Sequence, residues 1–163
     1  MTIQFPIIPF NFNHLPSSPA KKFAVLTQRP GVLSPANIDE VFRELKPITP
    51  QQLFGEWDGH ALTTGHPFER ELEELNWFGN TFEATEDVAP LIVAENGERI
   101  RFGDWGSASL YEIRYHGVVS AALVYDNRPV LVYYRAVRSN MVAGIMESKG
   151  FGSAGNFYFY LTK

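Results

Sequence analysis

At 163 residues the chain has the length of a single domain, able to bury about 70% of the surface that its unfolded form exposes. A net charge of −4 without a Lys/Arg cluster argues against nucleic acid as a partner. The absence of cysteine excludes disulfides, thiolate nucleophiles and cysteine-based metal sites. Aromatic residues make up 14% of the chain, enough to fill a bulky core or to line an apolar pocket.

Cellular location and cofactors are predicted mainly from what the sequence lacks. No window approaches the roughly 18 consecutive apolar residues of a membrane span, and the first residues lack the pattern of a signal peptide. We therefore expect a cytoplasmic protein without a membrane span. We also expect no metal and no cofactor, and the sequence leaves a homodimer open.

Residues 1–34 form the first predicted unit, an N-terminal arm. Prolines recur throughout it, which opposes a long helix and favours an extended, polyproline-like conformation. Phenylalanines at positions 5, 10, 12 and 23 indicate that the arm packs on the rest of the protein.

Residues 35–163 form the second predicted unit, a single β-rich domain. Ser34-Pro35 starts an amphipathic helix over about 35–45, and Thr49-Pro50-Gln51-Gln52 is a capping box that opens a short turn. Trp57 to Thr63 is predicted as a strand. His66-Pro67 then starts a second helix, with Phe68, Leu72 and Leu75 on its apolar face.

The rest of the domain has the pattern of an antiparallel meander. Short apolar segments alternate with turn signals, and Gly150 to Gly155 is predicted as a flexible loop that suits a lid. The predicted strands are 89–94, 98–102, 109–116, 118–125, 130–137, 141–147 and 156–162. The predicted fold is mainly β (α+β), a small antiparallel β-barrel or strongly curved sheet capped by two short helices.

Several motifs that occur in order resemble those of the GXWXG family and of the domain of unknown function that accompanies it. The first is Gly55-Glu56-Trp57-Asp58-Gly59, which is followed by Thr64-Gly65-His66-Pro67 and by Trp77-Phe78-Gly79. The second half adds Tyr115 to Asp126, Arg135-Ala136-Val137, Gly144-Ile145-Met146 and Phe157-Tyr158-Phe159. The resemblance implies a small cytoplasmic protein with a lipocalin-like barrel.

This chain departs from the family pattern at two places. It has Arg114-Tyr115-His116-Gly117 where relatives tend to have Glu-Tyr-Arg-Gly. It also has Val132-Tyr133 where relatives tend to have an Asp-His pair. Any polar site that the family shares is therefore expected to be altered here.

Strand alternation divides the first motif between two faces. Gly55, Trp57 and Gly59 share one face, where the glycines let an indole lie flat, so Trp57 is interpreted chiefly as the plug of one end of the barrel and otherwise as a ligand-stacking ring. Glu56, Asp58 and His60 share the opposite face. They are interpreted as a wet surface, or as an acid–base or metal site.

The remaining polar candidates are an acid–base set. His66 lies where a strand meets a helix, and it either caps backbone groups or acts at a cavity mouth. Glu112, Arg114 and His116 share one strand face, which either looks into the barrel or is solvated. The catalytic candidates are His66, His116, Asp126, Arg114 and Tyr133, the last beside Arg135 on one face.

Two functions fit these patterns. In the first, the barrel binds a small apolar molecule, such as a terpenoid or polyketide intermediate, and isomerises it, cyclises it or opens its ring by cofactor-free acid–base chemistry. In the second, the barrel is a non-catalytic carrier of such a molecule. The predicted ligand-binding residues are Trp57, Trp77, Tyr115, Met146 and Phe159. A weaker third hypothesis is a module that binds another protein through the arm.

Overall fold

The described part of the protein is built from nine strands with short helices between them. The computed structural model describes residues 18–163. Within this range the α-helices are α1 (Pro19–Gln28), α2 (Pro35–Glu44) and α3 (Pro67–Glu74). The strands are β1 (Gly55–Ala61), β2 (Trp77–Ala84), β3 (Asp87–Glu95), β4 (Glu98–Arg101), β5 (Ala108–Tyr115), β6 (Val118–Tyr125), β7 (Val130–Arg138), β8 (Met141–Ser148) and β9 (Phe157–Thr162). None of the described helices has the length and apolar character needed to cross a lipid bilayer.

Eight of the strands close into an antiparallel barrel, which confirms the predicted fold class. The closed order is β1-β9-β8-β7-β6-β5-β3-β2, and β2 returns to pair with β1. β4 pairs with β3 as an extra strand. The β3–β5 seam is narrow, since its register holds one pair, Val88 with Ala108. The Leu110 N–H adds a hydrogen bond of 2.7 Å to the Thr85 carbonyl.

Two hydrophobic cores lie on opposite sides of the sheet. The inner core fills the barrel and includes Leu53, Trp57, Tyr134 and Phe159. The outer core lies beneath α1 and α2 and includes Phe23, Phe42 and Tyr133. Because β7, β8 and β9 are covered on both faces, their sequences are almost continuously apolar rather than alternating.

A single buried arginine ties α2 to the outer face of the sheet. Arg135 is 1% exposed, and its guanidinium donates to the carbonyls of Arg43 (3.2 Å), Leu45 (3.1 Å) and Tyr115 (2.8 Å). Its guanidinium also lies 5.2 Å from the centre of the Phe42 ring. The positive charge thus satisfies carbonyls that the end of the helix leaves unpaired.

The first motif closes one end of the barrel. Trp57 is 2% exposed, and its indole N–H donates to the Leu53 carbonyl at 2.6 Å. A Cβ at Gly79 would lie 1.8 Å from the Trp57 carbonyl oxygen, so only glycine permits this approach of β2 to β1. A Cβ at Gly59 would lie 2.2 Å from the Trp77 indole. The glycines therefore make room for both tryptophans.

The helices differ from the prediction at one point. α2 and α3 lie where the sequence placed them, and Thr49 and Gln52 form the predicted capping box. The prediction of an extended arm over residues 1–34 is wrong at α1, because Ser18 caps the helix and Pro19 occupies its first turn, where a proline does no harm. Residues 1–17 of that arm lie outside the described residues. The strand β2 was absent from the predicted set.

Replacing Gly59 by alanine tests the tight packing between β1 and Trp77. We expect Gly59→Ala to lower the free energy of unfolding by about 1–3 kcal/mol, because the new methyl group overlaps the indole ring. Urea denaturation would measure the change. Gly103→Ala is the matched control, since a Cβ there meets nothing within 4 Å. Equal effects of the two substitutions would contradict this packing.

Candidate functional site

The barrel interior holds a small residual cavity beneath α3. Its volume is about 20 Å³. That is room for roughly one water molecule rather than for a ligand of ordinary size. It is lined by Phe68, Leu72, Trp77, Asn80, Pro90, Leu91, Tyr125, Val132, Met146, Phe157 and Phe159.

Two buried polar atoms in this apolar interior have no hydrogen-bond partner. They are the side-chain carbonyl oxygen of Asn80 and the hydroxyl of Tyr134. Asn80 is 3% exposed and Tyr134 is fully buried. Leaving such a group unpaired costs about 1–3 kcal/mol, so each of the two groups lowers the stability of the protein as it stands.

The chemistry of the two groups is complementary. Burial, and then the neighbouring Tyr125, raises the pKa of Tyr134 well above its ordinary value, so its hydroxyl stays protonated and can donate. Burial also raises the pKa of Tyr125. The free oxygen of Asn80 can only accept. The interior thus offers one donor and one acceptor.

His66 lies at the end of the barrel beneath α3, where both of its ring nitrogens make hydrogen bonds. Its Nδ1 atom accepts from the Phe68 N–H at 3.1 Å, and its Nε2 atom donates to the Gly155 carbonyl at 3.1 Å. The side chain of Glu69 accepts in turn from the His66 N–H, completing a capping box. The imidazole is therefore a structural cap that joins α3 to the segment before β9.

Aromatic side chains complete this end of the barrel, which we call the mouth: His66, Phe68, Trp105, Phe151 and Phe157. The Phe68 ring centre lies 5.1 to 5.4 Å from those of Phe157, Trp105 and Phe151. The His66 ring lies 4.5 Å from that of Phe151. The guanidinium of Arg128 covers Trp105 from outside at 4.2 Å.

The segment that carries Phe151 is a short 3-10 helix, Lys149–Ala154, rather than an irregular loop. It is kinked at Gly152, whose φ of 53° favours glycine. It rests on α3 through Phe151 and through the bond from His66 to Gly155.

The predicted ligand-binding residues divide between the two sides of the sheet. Trp77, Met146 and Phe159 line the cavity. Trp57 lies in the inner core as the plug. Tyr115 lies on the outer face, where its ring stacks on Tyr133 with 3.8 Å between ring centres, and so does not reach the cavity.

The predicted catalytic residues do not form one cluster. His66 is at the mouth, whereas Arg114, His116 and Asp126 are exposed. Glu112, on the strand face shared with Arg114, is also exposed, so no buried polar group forms there. Tyr133 is in the outer core, where its hydroxyl donates to the Glu147 carboxylate at 3.4 Å. The guanidinium of Arg135, on the same strand, donates its hydrogen bonds to backbone carbonyls.

The polar face of the first motif is a surface network. Glu56 and Asp58 are exposed, and the Arg99 guanidinium donates to Asp58 at 2.9 Å. His60 stacks on Tyr160 and contacts the Thr162 hydroxyl at 2.9 Å, and burial lowers its pKa. Among residues 18–163, no three His, Asp or Glu side chains group closely enough to ligate a metal ion.

Asn80 and Tyr134 were missed as site residues. Asn80 belongs to β2, the strand that was not predicted. Tyr134 follows Tyr133 in a strand that is apolar at almost every position, so alternation alone could not tell which ring faces inward. An asparagine between Gly79 and Thr81 in an otherwise apolar segment was the available signal.

Comparisons with known proteins agree with the motif pattern. The model of the GXWXG protein matches residues 40–98, and that of a domain of unknown function, DUF4334, matches residues 106–163. The chain thus carries a GXWXG region followed directly by a DUF4334 region. No curated protein matches this chain. The chain is similar to the crystal structure of a protein from Thermomonospora curvata, with a TM-score of 0.82 and 29% identity, covering 89% of this chain and 97% of that chain.

The two matched segments are halves of one barrel. The first carries β1, β2 and β3, and the second carries β5 to β9. They join along two seams, β1 with β9 and β3 with β5. The cavity lies between them, since Asn80 comes from the first half and Met146 from the second.

Removing the His66 side chain tests its role at the mouth. We expect His66→Ala to cost about 1–2 kcal/mol of stability, because the Phe68 N–H loses its acceptor and Gly155 loses its donor. Amide hydrogen exchange of residues 149–155 should also become faster. The control is His116→Asn, an exposed position at φ 50° that asparagine tolerates. Unchanged exchange in His66→Ala would show that the mouth is held by other contacts.

Tyr115 gives the stability of the outer face a defined pH dependence. Burial, then the charge of Asp39, raises the pKa of Tyr115 to about 12 from its ordinary value of 10.0. Since the unfolded phenol ionises at lower pH than the folded one, Tyr115 contributes stability below pH 10 that is lost as the pH rises towards 12. We expect Tyr115→Phe to lose less stability over this range, measured by urea denaturation at each pH. A parallel decline in both proteins would contradict the assignment.

Proposed function

We propose that this protein binds a small, mainly apolar alcohol inside its barrel. The observation that carries the proposal is the pair of buried, unpaired groups, the Tyr134 hydroxyl and the Asn80 carbonyl oxygen, in an interior that is otherwise apolar. A barrel of this size is a common scaffold for one small ligand.

We infer a hydroxyl group on the ligand from the hydrogen-bonding capacity of Tyr134 and Asn80. A ligand hydroxyl can accept from Tyr134 and donate to Asn80, whereas a ketone could satisfy only Tyr134. The rings of Trp77 and Phe159 and the thioether of Met146 surround the cavity, which suits a hydrocarbon body. Terpenoid and polyketide-derived alcohols are the chemical class with this combination.

Binding requires the mouth to open. The cavity of about 20 Å³ must expand, and Met146 is the lining residue best able to change its conformation. Phe68 lines the cavity and packs against Phe151 with 5.4 Å between ring centres, and the Phe151 segment is joined to α3 by this contact and by the hydrogen bond from His66 to Gly155. Entry past these two rings needs no rearrangement of the strands.

Binding is supported better than turnover. Cofactor-free isomerisation, cyclisation or ring opening needs an acid or a base at the ligand. Of the catalytic candidates, only His66 is at the mouth, and both of its ring nitrogens are engaged. The carrier function is therefore our conclusion, and the neutral Tyr134 phenol serves as a hydrogen-bond donor rather than as an acid, since its pKa lies well above the ordinary value.

Tyr134→Phe tests the proposal with a matched pair of probes, geraniol and its hydrocarbon counterpart myrcene. For the natural chain we expect geraniol to bind more tightly, because only the alcohol pairs with Tyr134 and Asn80. In Tyr134→Phe, geraniol affinity should fall about fivefold to tenfold while myrcene affinity is unchanged. Without ligand the variant should be as stable as the natural chain, or up to about 1 kcal/mol more stable, since an unpaired hydroxyl is removed.

Tyr158→Phe is the control for this experiment. It removes a phenol of the outer core that donates to Asp39 at 3.0 Å, so it should lower stability without changing either affinity. Isothermal titration and thermal denaturation give both quantities. The proposal fails if neither probe binds, or if Tyr134→Phe destabilises the free protein as much as Tyr158→Phe does.

A further inference from the structure

A second, larger concavity lies at the end of the barrel opposite the mouth. Its volume is about 450 Å³, which is within the usual range for occupied sites. Its apolar floor is formed by Leu45, Ile48, Trp57, Val137 and Val142. We call it the basal groove. It lies between the start of α1, the end of α2 and the turn that joins β7 to β8.

The first 17 residues of the chain have an unusual composition. They contain no Asp, Glu, Lys or Arg, although charged residues make up 20% of the whole sequence. They carry a series of large apolar side chains, Ile3, Phe5, Ile7, Ile8, Phe10, Phe12 and Leu15. Prolines at positions 6, 9 and 16 favour extended backbone, which presents such side chains without competing helical hydrogen bonds.

The described chain begins at the groove itself. Ser18, Pro19 and Ala20 are among its lining residues. Ser18 is held in place as the cap of α1, where its side chain accepts from the Lys21 N–H at 3.1 Å. The preceding segment is therefore attached to the described chain at the rim, and an extended segment covers about 3.3 to 3.6 Å per residue, which is enough for its nearest apolar residues to reach the floor.

We infer that the basal groove is the docking site of residues 1–17 of the same chain, with Phe10, Phe12 and Leu15 against its floor. Attachment at the rim makes the effective concentration of this segment very high, which favours it over a separate molecule. The apolar side chains of the segment match the apolar floor, and the charged residues of the groove, Glu44, Lys46 and Arg138, lie outside that floor set. Docking would place the segment against Trp57, which lines the groove.

The absence of cysteine makes a thiol-labelling test clean. Ala136→Cys places one thiol in the groove, and Ser153→Cys places one in the exposed 3-10 helix beyond the other end of β8. Each is labelled with a disulfide reagent in two backgrounds: the natural segment, and one with Phe10→Ser, Phe12→Ser and Leu15→Ser. We expect the serine background to accelerate labelling at position 136 about tenfold or more, which corresponds to docking for nine-tenths of the time or longer, and to leave position 153 unchanged.

Controls separate docking from its alternatives. Phe10→Leu with Phe12→Leu keeps the segment apolar and should retain protection of the thiol at position 136. Circular dichroism establishes that each variant is folded. Equal labelling of position 136 in the natural and serine backgrounds would overturn the proposal. So would protection that increases with protein concentration, because the segment of a second copy, or a dimer, would then cover the groove.

Discussion

The barrel depends on the close approach of β1 and β2. Gly79 meets the carbonyl of Trp57, and Gly59 lies beneath the Trp77 indole, so each strand contributes a glycine where the other contributes bulk. This approach determines where both tryptophans lie. Trp57 turns inward as a plug, and Trp77 passes over Gly59 to reach Phe159, with 5.9 Å between ring centres. The glycines and tryptophans of residues 55–79 are thus one packing unit within the first half of the barrel, and it contacts the second half through Trp77 and Phe159.

The polar groups on the two covered faces of the sheet differ in whether the protein itself satisfies their hydrogen bonds. The outer face beneath α2 holds tyrosines that are paired with carboxylates, as Tyr158 is with Asp39, and Arg135 fixes the helix above them. Those polar groups are satisfied by the protein itself. Inside the barrel, Asn80 and Tyr134 are not. Since adjacent residues of a strand point to opposite faces, Tyr133 and Tyr134 have opposite roles despite being neighbours.

The sequence predicted helices and strands better than it predicted which face of each strand points into the barrel. The strand 118–125 and the helices α2 and α3 were found because turn residues and caps are local signals. The helix α1 was missed because its prolines were read as one extended arm, although Pro19 merely starts the helix. Which side chains line the cavity could not be derived from β7 or β9, since nearly all their residues are apolar and both of their faces are buried. Trp77, Met146 and Phe159 were predicted because their side chains are large and apolar. Asn80 could be identified only from the structure, in which β2 places it beside the cavity.

The two ends of the barrel can act independently because Trp57 stands between them. Its indole is bonded to the Leu53 carbonyl and lies beneath the Lys163 ammonium, 4.3 Å from the ring centre. Under the two proposals above, a ligand would enter above this plug, whereas the docked segment would contact its other side. The mouth is closed by a few aromatic contacts and one histidine, and the plug is held by the glycine packing of two strands. The contacts that would have to break at the mouth are therefore made by side chains, whereas those at the plug involve the backbones of two strands.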